Sequence, residues 1–437
     1  MHDDQSVPAQ QSQPSPAPDG VLRRELNLRD AVLVGLGAML GAGVFAAFAP
    51  AARAAGAGLL LALAAAAVVA YCNATSSAAL AAAHPQAGGS YLYGRRQLGP
   101  LWGFLAGWGF VIGKTASCAA MALTAGAYAW PDHPRPVAVV AAAALTAVNY
   151  LGVTRTAALN RLLVAVTLAV LGFVVVTCLA GDRGAVSSLT DATSLDAYGV
   201  LQAAGLLFFA FAGYARLATL GEEVRDPERT IPRAVPLALG IVVAVYALVA
   251  VGLLLVLSPA GLAASTAPLR DAVAATGHED WAVLVRVGAV TASLGVLLSA
   301  MAGVGRTTLA MARDRELPVA LAAVHPRFGV PHRAELTLGA VVVVIVSVSD
   351  VRGAIGFSSL GVLVYYAVAN ASAWTLRTRS AVRRPVAALG LVGCVVLAAA
   401  LPFTSVVSGI GVLACGLLLR AVVRARRADA GPRRGRG

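Results

Sequence analysis

The sequence predicts an all-α polytopic membrane protein of about twelve transmembrane helices, organised as an inverted repeat. Three observations carry that reading. Of the 437 residues 58% are hydrophobic and only 13% charged, with a mean hydropathy of +0.77. Apolar runs near the roughly 20 residues that span a bilayer recur along the whole chain. Two of those runs, five spans apart, are interrupted by glycine.

The runs fall at about 28–50, 57–83, 99–129, 136–151, 158–181, 197–221, 232–257, 281–311, 335–349, 353–376, 386–401 and 404–424. The first holds Gly35-Leu-Gly-Ala-Met-Leu-Gly-Ala-Gly-Val-Phe45. Each glycine costs a helix interior about 1 kcal/mol against Ala, so a cluster of them suits a segment that leaves helical geometry. Non-helical backbone in lipid is tolerated only where it lines a cavity or is covered by protein. Gly37-xxx-Gly41 also fits plain close packing of helices. The sixth run contains Phe208-Phe-Ala-Phe-Ala-Gly-Tyr-Ala-Arg216, where Gly213 among aromatics marks a second break. With alternating spans, segment 1 enters from the cytoplasm and segment 6 from outside. Paired interruptions of opposite direction point to an inverted-repeat transporter with its site at the breaks.

Residues 1–22 are rich in Gln, Ser, Pro and Asp, without the apolar core of a signal peptide, and read as a disordered cytoplasmic tail. One transmembrane domain follows over 23–424, then a basic cytoplasmic tail over 425–437. Net charge is 34 − 21 = +13. Most arginines fall in the loops that alternation places inside, among them Arg95, Arg225, Arg313 and Arg384. This positive-inside bias puts both termini in the cytoplasm and the protein in the inner membrane. The basic tail abuts a span, so lipid headgroups are its anionic partner rather than nucleic acid.

Segment 2 is alanine-rich and ends at His84-Pro-Gln-Ala-Gly-Gly-Ser90, where Pro and the Gly pair make a turn. Segment 3 carries the sole lysine, Lys114, near mid-bilayer. A charge there costs about 2.5–3.5 kcal/mol on insertion scales and marks a functional candidate. Cys72, Cys118, Cys178, Cys394 and Cys415 all lie in apolar spans and read as small buried hydrophobes. No histidine has a Cys or carboxylate partner at zinc spacing. No phosphate-binding GxxxxGK[ST] loop, GxSxG or HExxH pattern occurs, so neither an enzyme, a metal site nor a cofactor is expected.

Gly37-Ala-Met-Leu-Gly-Ala-Gly-Val-Phe45 resembles the helix 1 motif of the amino acid–polyamine–organocation superfamily. Phe209-Ala-Phe-Ala-Gly-Tyr214 and Glu222-Glu-Val-Arg-Asp-Pro-Glu-Arg-Thr-Ile-Pro-Arg-Ala234 resemble its helix 6 and the following loop. Met311-Ala-Arg-Asp-Arg-Glu-Leu-Pro318 and His325-Pro-Arg-Phe-Gly-Val-Pro331 resemble its loop between helices 8 and 9. The resemblance runs from about Leu26 to Trp374. It implies five plus five inverted helices, about 26–181 and 197–376, with two peripheral helices over 386–424. It implies secondary transport of amino acids or related amines by alternating access.

A zwitterion brings two charges into a site where unpaired charge is expensive. The broken helix 1 offers free N–H groups and a positive dipole end, which assigns the substrate carboxylate to the backbones of Gly41, Ala42 and Gly43. The ammonium goes to carbonyls near Met39, Phe209 and Ala212, with Gly213 at the break. Phe209 matches the family's aromatic gate; Phe208, Cys118, Tyr214 and Arg216 are further candidates. Side-chain choice falls to helices 3, 6, 8 and 10. Where some cation-selective members carry an acid after the Gly-aromatic pair, this chain has Ala215 and Arg216, the latter also placed to pair with Glu222 or Glu223. Where some proton-coupled members carry a lysine in helix 5, it has Thr167. Lys114 is therefore the coupling candidate, since a buried lysine can exchange a proton near neutrality. Sodium, held by Thr291 and Ser293, is the competing ion. Neutral or acidic amino acids are expected over polyamines and cationic ones. A non-transporting sensor is the third reading, for which no segment is long enough to add a signalling domain.

Overall fold

The computed structural model describes residues 26–84, 86, 88–152, 157–181, 196–218, 224–376 and 383–429. Both expected tails, apart from residues up to 429, lie outside that set, as do Glu222 and Glu223. The described chain is helical, with one isolated bridge between Leu26 and Val224.

Span 1 is divided into α1 (Leu28–Met39), α2 (Ala42–Ala46) and α3 (Phe48–Ala55). Span 2 is α4 (Leu59–Ala83), and the short α5 (Gly89–Gln97) leads into span 3, α6 (Pro100–Ala129). Spans 4 and 5 are α7 (Pro134–Tyr150) and α8 (Ala157–Ala180). Span 6 is α9 (Ala197–Phe211), a 3₁₀ turn (Ala212–Tyr214) and α10 (Ala215–Ala218). Span 7 is α11 (Pro227–Ala264), followed by α12 (Pro268–Ala275) and span 8, α13 (Ala282–Arg313). Spans 9 and 10 are α14 (His332–Val348) and α15 (Val351–Trp374), and α16 (Arg383–Ala400) and α17 (Phe403–Asp429) close the chain.

Each expected run coincides with a helix. Among the described residues, ten helical stretches are long and apolar enough to cross a membrane. The two shortest runs became helices of 17 residues each, α7 and α14. Span 7 overruns its expected limits because the chain continues helically past a kink at Ser258, which has φ +58°. Pro259 disfavours helical geometry in the residue before it, which locates that kink.

Local chemistry sets the helix ends. Asn27 Oδ1 accepts the Asp30 N–H at 3.0 Å while Asp30 Oδ2 accepts the Asn27 N–H at 3.4 Å, a reciprocal cap that starts α1. Asp196 caps α9 through the Tyr198 and Gly199 N–H groups, and Asp350 caps α15 through Gly353. Pro100, Pro134, Pro227 and Pro268 open their helices, where no N–H is missed. The turn between α4 and α5 needs positive φ at both Gly88 (+137°) and Gly89 (+53°).

The interior is assembled from small residues. A Cβ added to Gly361 of α15 would stand 2.6 Å from the Gly109 carbonyl oxygen of α6, so these two helices meet backbone to backbone. The apolar window of α6 is 89% buried, against 28% and 22% for α16 and α17. That outer position corrects one expectation: Cys415 on α17 is exposed, while the other four cysteines are buried.

The end of the molecule that carries Leu26 is tied by charge. Helix α13 stops with Arg315 at φ +58° and the Glu316 N–H returned to the Met311 carbonyl at 2.8 Å. Glu316 then meets Arg420 Nε of α17 at 2.6 Å and Arg424 at 3.2 Å. The Arg420 guanidinium lies 5.1 Å from the centroid of Phe104 in α6. Nearby, Asp314 receives Tyr91 Oη at 2.6 Å and Arg95 at 2.5 Å. The Arg420–Glu316 side chains are 8% and 5% exposed, whereas Arg95 and Asp314 are 39% and 41% exposed. Breaking a buried pair leaves an uncompensated charge and costs about 3–5 kcal/mol. An exposed pair contributes about 0–1 kcal/mol. Glu316→Gln should therefore lower the thermal midpoint in detergent far more than Arg95→Ala. Equal midpoints for the two variants would show that the buried pair carries no special weight.

Candidate substrate site

Span 1 leaves helical geometry at Leu40 (φ −79°, ψ 66°) and Gly41 (φ −132°, ψ −143°). The Ala42 and Gly43 N–H groups open α2, where helical geometry supplies no acceptor. Span 6 tightens into its 3₁₀ turn at Ala212–Tyr214. The two interruptions face each other. A Cβ on Gly43 would lie 2.6 Å from Ala210 Cα, and one on Gly213 would overlap the Ala38 carbonyl oxygen. Gly41 is equally confined, by Val296 of α13 at 2.5 Å from such a Cβ. A side chain at Gly43 would therefore strike the span 6 backbone.

Three side chains from other spans reach the exposed carbonyls. The Tyr246 hydroxyl of α11 lies 2.7 Å from the Met39 oxygen and 3.1 Å from that of Ala210. Lys114 Nζ donates to the Ala212 carbonyl at 3.2 Å, and the Tyr366 hydroxyl of α15 to the same oxygen at 3.3 Å. Met39 also accepts the Gly41 N–H at 2.9 Å. A carbonyl oxygen has two lone pairs, so Met39 and Ala212 are both fully used. The Phe209 carbonyl accepts the Ala212 N–H. Carbonyls expected to meet a substrate ammonium therefore carry protein donors here, one of them itself an ammonium.

The remaining candidates lie close by or apart as follows. Phe209 is 6% exposed, and Phe208 is buried edge-on to Tyr366 at 5.8 Å between centroids. Tyr214 stacks on Tyr366 at 4.7 Å. Cys118 is buried one turn beyond Lys114 on α6. Arg216 is exposed on α10, and its expected partners Glu222 and Glu223 fall outside the described residues. Thr167 turns its hydroxyl back to the Leu163 carbonyl at 2.8 Å. Ser293 is buried with Oγ unpartnered, and Thr291 is half-buried. Sequence reasoning missed Tyr246 and Tyr366. Tyr246 is the one hydroxyl-bearing residue in the apolar run from Ile241 to Leu257, which is the signal that marked it.

A cavity of about 570 Å³ opens at the end opposite Leu26. It is lined by Ala46 and Arg53 of span 1, Thr124 of α6, and charged residues of the 131–136 and 349–352 connections. Ala46 lies one turn beyond Gly43, so this vestibule leads toward the breaks.

Tyr246→Phe removes the single O–H that the Met39 and Ala210 carbonyls share, and a lost intramolecular hydrogen bond costs about 0.5–1.5 kcal/mol. A lower thermal midpoint and weakened transport are expected. Gly43→Ala already forces the breaks apart and should lose stability and transport together. A Gly43→Ala protein with the parent's midpoint would show that the contact has slack.

The comparisons with known proteins agree with this architecture. The family model described as amino acid permease matches residues 30–419. An uncharacterized transporter of Mycobacterium tuberculosis is 59% identical over 416 residues, 94% of each chain. A chloroplastic cationic amino acid transporter of Arabidopsis thaliana is 29% identical over 384 residues, 80% of this chain and 65% of that protein. A branched-chain amino acid permease of Bacillus subtilis is 26% identical over 381 residues, 80% of each chain. With helices throughout, two interrupted spans set against each other and a match over nearly its whole length, this chain belongs to the amino acid permease family of the amino acid–polyamine–organocation superfamily.

Proposed function

We propose that this transporter is a secondary active permease that moves neutral or acidic amino acids across the cytoplasmic membrane by alternating access. Both termini lie in the cytoplasm, and the repeats 26–181 and 197–376 are inverted copies of each other. The observation that supports this most directly is the pair of interrupted spans whose backbones meet at Gly43 and Ala210. The backbone of Gly41, Ala42 and Gly43 takes the substrate carboxylate. Phe209 closes over it.

Lys114 is the coupling group in this reading. It sits deep on α6 and donates to the neutral Ala212 carbonyl. Among the described residues it forms no ion pair. An ammonium in such a place is stabilised by losing its proton or by the arrival of an anion. Site occupancy and proton binding are then linked, which is the thermodynamic requirement for coupling. The names of relatives such as the chloroplastic cationic transporter favour a second reading, a cationic amino acid carrier. Ala215 and the ammonium of Lys114 at the break oppose it.

Proteoliposome uptake over a panel of labelled amino acids, with and without a pH gradient, tests the whole proposal. Neutral or acidic substrates should accumulate with the gradient, and arginine should be the weakest competitor. Arginine as the strongest competitor would select the cationic reading. Lys114→Met should keep exchange and lose gradient-driven accumulation; undiminished accumulation would remove Lys114 from the coupling step.

A further inference from the structure

Resting on the permease reading above, we propose that the substrate carries net negative charge at neutral pH. It belongs to the amino dicarboxylates, and Lys114 is the counter-charge for its second carboxylate. Two separate regions of the molecule support this narrower class.

The first is the break itself. Lys114 Nζ already stands on the Ala212 carbonyl, and the Tyr366 hydroxyl completes that oxygen. Tyr246 and the Gly41 N–H complete the Met39 oxygen. A resident cation thus occupies the place where a substrate ammonium would look for acceptors. A cationic side chain brought beside it meets like charge in a medium of low dielectric, which is costly. A carboxylate brought there meets an ammonium with further N–H bonds to give. Among the described residues no carboxylate forms an ion pair with Lys114, although the buried Glu335 leaves Oε2 without a hydrogen-bond partner. Glu316 is held by Arg420 and Arg424, and Glu335 sits in the first turn of α14 against Gly305 of α13.

The second region is the vestibule. Three arginines, Arg53, Arg135 and Arg352, line it with two carboxylates, Asp132 and Asp350. Among the described residues none of these five forms an ion pair. Asp350 spends one oxygen on the Gly353 N–H at 2.8 Å as a helix cap. Arg352 gives Nη2 to Gln202 at 3.2 Å, while its buried Nε has no partner. Arg53 gives Nε and Nη2 to the Ala263 carbonyl at 3.2 and 2.7 Å, and the five formal charges of the mouth sum to 3 − 2 = +1. A mouth of net positive charge favours the entry of anions over cations, an effect that salt screens.

The test is substrate exchange across proteoliposomes at equal pH on both sides, so that coupling does not enter. Labelled glutamate, leucine and arginine are the probes. The wild type should favour glutamate over leucine in kcat/KM by about tenfold or more, with arginine last. Lys114→Met should collapse the glutamate-to-leucine ratio, and Lys114→Arg, which keeps the charge, should preserve it. Arg352→Gln should raise the glutamate KM at low ionic strength only, the difference vanishing in high salt. Thermal midpoints identify any variant that fails to fold, and the wild-type ratio and the Arg352→Gln salt dependence then decide alone. Leucine exchanged in preference to glutamate, or a ratio unaltered by Lys114→Met in a folded protein, overturns the amino dicarboxylate class and leaves the permease reading standing. Exchange of no amino acid overturns both.

Discussion

The contact between the two interrupted spans is the constraint on which the rest of this structure depends. Broken backbone inside a bilayer exposes N–H and C=O groups that lipid cannot satisfy. Here the two breaks cover each other. Gly43 lies on Ala210, and Gly213 on the Ala38 carbonyl, at separations no Cβ would permit. The carbonyls left over are reached from three other spans by Tyr246, Tyr366 and Lys114. Spans 3, 7 and 10 must therefore lie where their polar tips meet the breaks. The small residues that let α6 approach α15, such as Gly109 and Gly361, serve the same end.

The two ends of the molecule use charge in opposite ways. At the Leu26 end, carboxylates and arginines are spent on each other across elements: Asp30 with Arg161, Asp314 with Arg95, Glu316 with Arg420 and Arg424. At the far end Arg270 pairs with its own neighbour Asp271, and among the described residues Arg135, Arg352 and Asp132 of the 570 Å³ vestibule form no ion pair. Paired charge holds helices together, and unpaired charge beside water acts on ligands. The Leu26 end is thus tied by ion pairs between elements, and the far end opens into a cavity.

Much of this was legible from local sequence. Membrane helices announce themselves by length and hydropathy, and so all twelve runs met helices, including the two of 17 residues. The breaks were legible because glycine clusters are costly in helices and need a reason. What each glycine faces was not legible, since Gly43 and Ala210 are far apart in the chain and meet only through the fold. The same limit hid Tyr246 and Tyr366: a tyrosine in an apolar run shows that its hydroxyl needs a partner, but not which carbonyl supplies it. Cys415 failed for a related reason. Hydropathy does not separate a helix that faces protein from one that faces lipid.

The residue on which the packing of span 1 turns is Gly43. Its missing side chain lets the span 6 backbone at Ala210 come within contact of α2. Backbones this near, held by Tyr246 between Met39 and Ala210, have few degrees of freedom left, because close-packed interiors transmit displacement rather than absorb it. A shift of span 1 must then carry span 6 with it. Helix α6 is tied to that pair twice, by Lys114 at the Ala212 carbonyl and by the Tyr128 hydroxyl at the Phe45 carbonyl, and Lys114 is the tie that can carry charge.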